Sequence, residues 1–183
     1  FNTWSYPGIL FVVNSGIMNG TSATKFSPDR AMSRAMLVTS LYRLSGSPAV
    51  SYTNSFSDVP ASAWYADGVA WASKNGIVTG VGGGKFNPNG NVTREQIATF
   101  LFRYAEYLGY NTSKRADLSR FPDSGSVSNF AKDAMSWAVA TGILNGTTTN
   151  DITILAPKSP ATRAQAASFL LRFGKVVLPS LPY

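Results

Sequence analysis

Apolar residues recur with a helical period three times along this chain. Ile97, Phe100, Leu101, Tyr104 and Leu108 stand near i, i+3, i+4 spacing, which lays them along one helix face. Leu37, Leu41 and Leu44 repeat the stripe upstream, and Ala166, Phe169, Leu170 and Phe173 repeat it downstream. A start signal precedes each stripe. Thr93-Arg94-Glu95-Gln96 and Thr162-Arg163-Ala164-Gln165 have the form of a capping box, with a hydroxyl for the N3 amide and an amide side chain reaching back. Ser33-Arg34-Ala35-Met36 keeps half of it, because methionine cannot reciprocate. Gly109 is placed to stop the middle helix. A second, earlier helix is predicted over 63–75, where Trp64, Val69, Trp71 and Ala72 fall roughly on one side and Gly76 follows as a stop. Phe56-Ser57-Asp58-Val59-Pro60 reads as an extended lead-in whose proline suits a first helical turn. Gly82-Gly83-Gly84 predicts a loop, and Phe86-Asn87-Pro88-Asn89-Gly90 is turn chemistry.

The same landmarks return at fixed offsets. Gly-Ile pairs begin at Gly16, Gly76 and Gly142, and a second glycine follows four residues later at Gly20, Gly80 and Gly146. An aromatic stands five residues before each pair (Phe11, Trp71, Trp137) and another twelve before (Trp4, Trp64, Phe130). Pro28, Pro88 and Pro157 each precede the Ser or Thr of the capped string by five residues, and Arg43, Arg103 and Arg172 follow its arginine by nine. The period is about 60 residues, longer than the usual solenoid range of about 20–50. The units are 1–46, 56–109 and 121–175, with polar linkers at 47–55 and 110–120 and a tail at 176–183. A unit of this size buries too little surface to be secure alone, so a shared core is expected. A repeated unit also favours a multivalent binding surface over one active site.

Composition narrows the chemistry. The 183 residues contain no cysteine and no histidine. Disulfides, thiolate metal sites, Ser-His and Cys-His nucleophile pairs and the commonest metal ligand are therefore excluded. No apolar run approaches the ~18–20 residues that cross a bilayer, so no membrane insertion is expected. The net charge of +7 favours anionic partners. Its 16 Lys and Arg are scattered rather than clustered, which argues against nucleic acid. Lys85 after the glycine triplet imitates a phosphate loop, but Thr79 and Phe86 occupy positions where that loop needs Gly and Ser/Thr. The nine acids are presented singly, which does not suit a glycosidase pair. No catalysis, cofactor or metal is expected of this stretch.

In register, these landmarks resemble three S-layer homology (SLH) repeats. The resemblance rests on Phe56-x-Asp58-Val59, Trp64-Tyr65, Gly76-Ile77, Gly80, Phe86-x-Pro88 and Thr93-Arg94-Glu95-Gln96, and it covers nearly the whole chain. It implies a mainly α fold: three tandem helix-loop-helix repeats in a pseudo-threefold spindle around a central three-helix bundle. It also implies non-covalent anchoring of a larger bacterial surface protein, extracellularly, to an acidic and often pyruvylated cell-wall polysaccharide or to modified peptidoglycan. The ligand grooves would lie between adjacent repeats, each drawing on two copies. The alternative is a docking module for a protein partner in a surface assembly.

Arg34, Arg94 and Arg163 occupy the first helical position, where the helix dipole opposes a cation by about 0.3–1 kcal/mol. Free backbone amides at a helix start plus a guanidinium would make a two-pronged carboxylate receptor. The competing reading is that these arginines pair with a carboxylate of a neighbouring repeat. Asp58 and Asp123 either cap the first helix or hydrogen-bond sugar hydroxyls. Trp4, Trp64 and Phe130 either stack on a sugar or belong to core or groove wall. Gly20, Gly80 and Gly146 are expected to serve backbone conformation and to admit a ligand closely. Glu95 is expected to be exposed in a first turn, with a ligand role secondary to its helix-start charge. Gln165, like Thr93, Thr162 and Gln96, is explained by capping and also stands as a ligand candidate. Arg43, Arg103 and Arg172, late in their helices, read as structural. The copies also differ. Phe1-Asn2-Thr3 leads straight to Trp4 without the Phe-x-Asp-Val string, and the third copy has Phe130 for tryptophan and three extra residues around 148–152.

Overall fold

The computed structural model describes residues 4–51 and 53–178. The lead Phe1-Asn2-Thr3, Tyr52 in the first linker and the tail residues 179–183 lie outside the described residues. The fold is mainly α. Its helices are α1 (Tyr6–Asn14), α2 (Arg34–Leu44), α3 (Ala66–Lys74), α4 (Arg94–Tyr107), α5 (Lys132–Ala140) and α6 (Arg163–Val177). Two single turns of 3₁₀ helix, Ser124–Ser126 and Asn129–Ala131, lead into α5.

The even-numbered helices start where the capping chemistry places them. Thr93 and Thr162 accept from the N3 amides of Gln96 and Gln165, and each glutamine returns the bond, closing full capping boxes. Ser33 accepts from Met36 N and stands as a half box. Helix α3 is shorter than the predicted 63–75. Helix α3 starts at Ala66, three residues after the expected start, because successive turns (Ala63 N to Pro60 O, Ala66 N to Ala63 O, both 2.9 Å) bring the chain in from Pro60. Pro60 therefore opens a turn rather than the helix, and Trp64 stands outside the apolar face of α3. The extra residues of the third copy fold as a hairpin, β1 (Thr147–Thr149) against β2 (Ile152–Ile154), with Thr148 opposite Thr153. Asn150 and Asp151 turn it with φ of 49° and 61°, the left-handed pair that such tight hairpins need.

Packing passes from each copy to the next. Helix α3 packs on α2, α5 on α4, and α1 on α6, so each first helix lies against the second helix of the preceding copy and the last contact returns to the start. Where the strings meet, three backbone bonds close a ring: Met32 N to Ala161 O (2.8 Å), Ala161 N to Val92 O (3.0 Å) and Val92 N to Met32 O (2.9 Å). All three residues are fully buried. The apolar stripes converge on one continuous core containing Leu37, Leu41, Ile97, Leu101, Leu170 and Phe173. Burying each such side chain contributes roughly 1.5–3 kcal/mol. Tyr104 stacks on Phe173 with centroids 5.4 Å apart, and its hydroxyl lies 2.7 Å from Ser45 Oγ.

Candidate ligand grooves

The string arginines are buried, each with 4% of its surface exposed. Their backbone amides are not free. Arg34 N and Ala35 N donate to Gly90 O and Pro88 O, Arg94 N and Glu95 N to Ser159 O and Pro157 O, and Arg163 N and Ala164 N to Arg30 O and Pro28 O. The third amide of each helix goes to the cap. The helix-start anion receptor expected from the sequence is therefore already occupied by carbonyls of a neighbouring copy. The guanidinium groups are engaged in the same way. Arg34 donates through Nε to Phe86 O (2.8 Å) and through Nη2 to Thr79 O (3.0 Å). Arg94 donates to Leu155 O (2.8 Å) and Asn145 O (2.9 Å), and Arg163 to Phe26 O (2.9 Å) and Asn19 O (2.6 Å). Arg34 and Arg163 also lie over the rings of Phe86 and Phe26, 4.7 and 4.5 Å from their centroids. The arginines do staple one copy to the next, through carbonyls rather than through the carboxylates envisaged. Burial pushes all three guanidinium pKa values down; Asp58 and Asp123 oppose this at Arg34 and Arg94, while Arg172 adds to it at Arg94 and Arg30 at Arg163.

Asp58 and Asp123 neither cap a helix nor face a groove. Asp58 accepts from Phe86 N and Asn87 N, both at 2.8 Å. Asp123 accepts from Leu155 N (2.8 Å) and Ala156 N (2.7 Å). Phe86 and Leu155 are the residues whose carbonyls receive the arginine Nε. Each aspartate thus fixes the peptide that the string arginine of the preceding copy uses. Burial works to raise the Asp58 pKa, but the amide bonds and Lys85 outweigh it and hold the carboxyl below its ordinary value.

Beside each arginine the surface opens into a groove. The Arg163 groove, about 480 Å³, has Gly20, Met36, Arg43 and Trp64 in its wall. The Arg34 groove, about 320 Å³, has Gly80, Gln96, Arg103 and Phe130. The Arg94 groove, about 390 Å³, has Gly146, Gln165, Arg172 and Trp4. Every groove therefore draws on three copies, not two: a string arginine from one, a glycine loop and second helix from the next, and an aromatic from the third. A fourth cavity of about 590 Å³ shares the Asn145–Gly146 wall but has no string arginine.

The aromatics are exposed groove rim rather than core, at 50% for Trp4, 63% for Trp64 and 57% for Phe130. Gln165 gives its oxygen to the cap, so its amide nitrogen is the end a ligand can use. Gly20, Gly80 and Gly146 do not have left-handed φ. They are needed because a Cβ would strike the returning strand: at Gly80 it would lie 2.6 Å from Lys85 O and 2.8 Å from the Phe56 ring, and at Gly20 2.6 Å from Ser22 O. Glu95 is buried rather than exposed, and it faces away from the grooves. Its carboxylate accepts from Ser128 N and Oγ, both 3.0 Å, and from Lys158 Nζ at 2.7 Å. The N-terminus of α4 is enclosed by the third copy, which is why the first-turn position is not solvent.

Arg43, Arg103 and Arg172 were legible as helix-end cations but line the grooves instead. A second periodicity carries the signal. Met36-Thr39-Arg43, Gln96-Thr99-Arg103 and Gln165-Ser168-Arg172 each follow i, i+3, i+7 and form a mostly polar stripe beside the apolar one. The middle hydroxyls differ: Thr99 Oγ1 donates to Glu95 O at 2.8 Å, whereas Thr39 Oγ1 and Ser168 Oγ are buried without a partner among the described residues.

The sequence model of the S-layer homology domain matches residues 2–35, 55–98 and 120–167. This chain belongs to the SLH family. SLH domains are cell-wall anchoring modules, and the SLH chain accordingly acts at the extracellular cell surface. It is 36% identical over 168 residues to an endoglucanase of a Bacillus species, covering 92% of this chain and 17% of that protein. It is 35% identical over 156 residues to the surface-layer 125 kDa protein of Lysinibacillus sphaericus, covering 85% of this chain and 13% of that one. Among solved structures, an undecaheme cytochrome from the S-layer of Carboxydothermus ferrireducens matches at 20% identity and a TM-score of 0.46, covering 92% of this chain and 20% of that one. The SLH chain thus spans less than a fifth of the curated relatives named here. The likeness to the endoglucanase is confined to that small share of the enzyme.

Proposed function

We propose that units 1–46, 56–109 and 121–175 form a pseudo-threefold spindle around α2, α4 and α6, and that its grooves anchor a larger surface protein non-covalently to an acidic wall polysaccharide, possession of pyruvate ketals included. One observation carries the reading. In each groove a second arginine (Arg43, Arg103 or Arg172) shares the wall with a string arginine and with an exposed aromatic supplied by a third copy. A guanidinium pair suits a carboxylate, and an aromatic rim suits the apolar face of a sugar ring. The glycine loop keeps the groove floor free of side chains. The string arginines hold the groove in shape; Nη1 of Arg34 and Arg94 is left to offer a ligand, while Nη1 of Arg163 also reaches Met36 Sδ at 3.9 Å. Asp58, Asp123 and Glu95 act behind this surface as positioning residues.

Co-sedimentation with wall sacculi tests the reading. The chain is expected to pellet with untreated sacculi and to stay in solution after acid extraction of the non-peptidoglycan polymer. A triple Arg43→Ala, Arg103→Ala, Arg172→Ala variant is expected to lose pelleting while keeping its helical circular dichroism. Undiminished pelleting of the folded variant overturns the groove assignment. Pelleting that survives extraction redirects the ligand to peptidoglycan, and no pelleting at all favours a protein partner.

A further inference from the structure

The three grooves share a plan but not a charge. Position 30 of the first copy corresponds to Gly90 and Ser159 in the others, five residues before Ala35, Glu95 and Ala164. In the first copy it is arginine, and it stands in the Arg163 groove beside Arg43 and Arg163. That groove therefore has three guanidinium groups in its wall and no carboxylate. Among the described residues neither Arg30 nor Arg43 is in an ion pair. The other two grooves hold two arginines each, and their string arginines feel the negative charge of Asp58 or Asp123. Arg94 also feels the positive charge of Arg172, but Arg163 feels that of Arg30 with no carboxylate to offset it. The Arg163 groove is also larger than either of its two counterparts.

Three cations lining one cleft concentrate positive potential there. A single carboxylate leaves part of that charge uncompensated. A dianionic group with three acceptor oxygens can bond all three guanidinium groups at once. We propose that the Arg163 groove is a dianion subsite that selects a saccharide carrying a phosphate monoester, whereas the Arg94 groove accepts a monoanionic sugar equally well. The proposal rests on the acidic-polymer reading above, and it adds that the grooves read different substituents.

The tryptophans make the test direct. Of the four, Trp64 reports the Arg163 groove and Trp4 the Arg94 groove, while Trp71 and Trp137 are buried and report folding. Indole N–H resonances would be followed by NMR at about pH 8 during titration with N-acetylglucosamine 6-phosphate or with N-acetylmuramic acid. The phosphate then carries about two charges, since its second pKa is about 6, and the lactyl carboxylate carries one. The phosphate sugar is expected to move the Trp64 resonance at about tenfold lower concentration than the carboxylate sugar, the worth of one added charge-assisted bond, with no such preference at Trp4. Arg30→Ser, which restores the residue of the third copy, is expected to abolish the preference at Trp64 and leave Trp4 unchanged. Only the backbone carbonyl of Arg30 is used by Arg163, at 2.8 Å, so the substitution leaves that bond in place. Arg43→Ser is a second variant should the first disturb Trp71 or Trp137. Equal response of Trp64 to both sugars, no response to either, or a preference that survives in a folded variant overturns the proposal. Loss of sacculus binding with the Trp64 preference intact would sink the anchoring reading alone. Sacculus binding without the preference would sink this one alone.

Discussion

The arginine of each string is a structural fastener before it is anything else. Arg94 bridges Leu155 O and Asn145 O with two arms of one planar fork, inside a site where 4% of the residue is exposed. Removing it strands two carbonyls that have no easy access to water. Hydrogen bonds to charged groups contribute about 1.5–3 kcal/mol each, part of which offsets the burial of the charge. Arg94→Ala is therefore expected to lower stability by about 3 kcal/mol, read as a fall in the urea midpoint at unchanged slope. Lysine keeps the charge but not the fork, so Arg94→Lys is expected to recover less than half of that loss. A midpoint unchanged by either substitution would show that the fork contributes nothing. The same geometry explains why the groove-facing arginines are the better probes of binding: Arg172 makes one long bond, 3.5 Å to Ile143 O, so its loss disturbs the fold little.

Among the elements, the glycine loops set the shape of the grooves by close approach. Gly80→Ala would place a methyl against Lys85 O and the Phe56 ring, and forced overpacking of this kind costs about 1–3 kcal/mol. Gly125 has open space around it and no left-handed φ, so Gly125→Ala is expected to stay within about 0.5 kcal/mol of the parent. Equal effects in thermal unfolding would refute the close-approach account. Glycine spacing was plain in the sequence, but its cause was not, because the clash is with residues that the loop folds back upon. Capping boxes, apolar stripes and stop glycines were legible because each is a local rule acting within four residues. The arginine acceptors were not, since Arg163 and Asn19 O are 144 positions apart and no short-range pattern encodes them. The third-copy hairpin is encoded locally as well, by Asn150-Asp151 between β-branched residues, a turn signal within the three extra residues. The burial of Glu95 was missed because a first-turn carboxylate is ordinarily solvated, and here the third copy covers it with Ser128 and Lys158.

Over the whole molecule, the decisive property is closure. In an open solenoid each repeat touches only its neighbours, so a lost terminal repeat removes one interface and leaves the others standing. Here the first and third copies also touch, through α1 on α6 and through Arg163 on Phe26 O and Asn19 O. The Met32–Val92–Ala161 ring of backbone bonds cannot exist with two members. Deleting the third copy removes three things at once: the partner of α1, the carbonyls that satisfy the start of α4, and two of the three ring bonds. What remains is two units of about 60 residues, each too small to bury enough surface alone. The full chain is expected to unfold in a single calorimetric transition whose van't Hoff and calorimetric enthalpies agree. A fragment of residues 1–110 is expected to show no cooperative transition under the same conditions. A sharp, two-state melt of that fragment would mean that the copies are linearly stacked units after all, and that ring closure adds nothing to their stability.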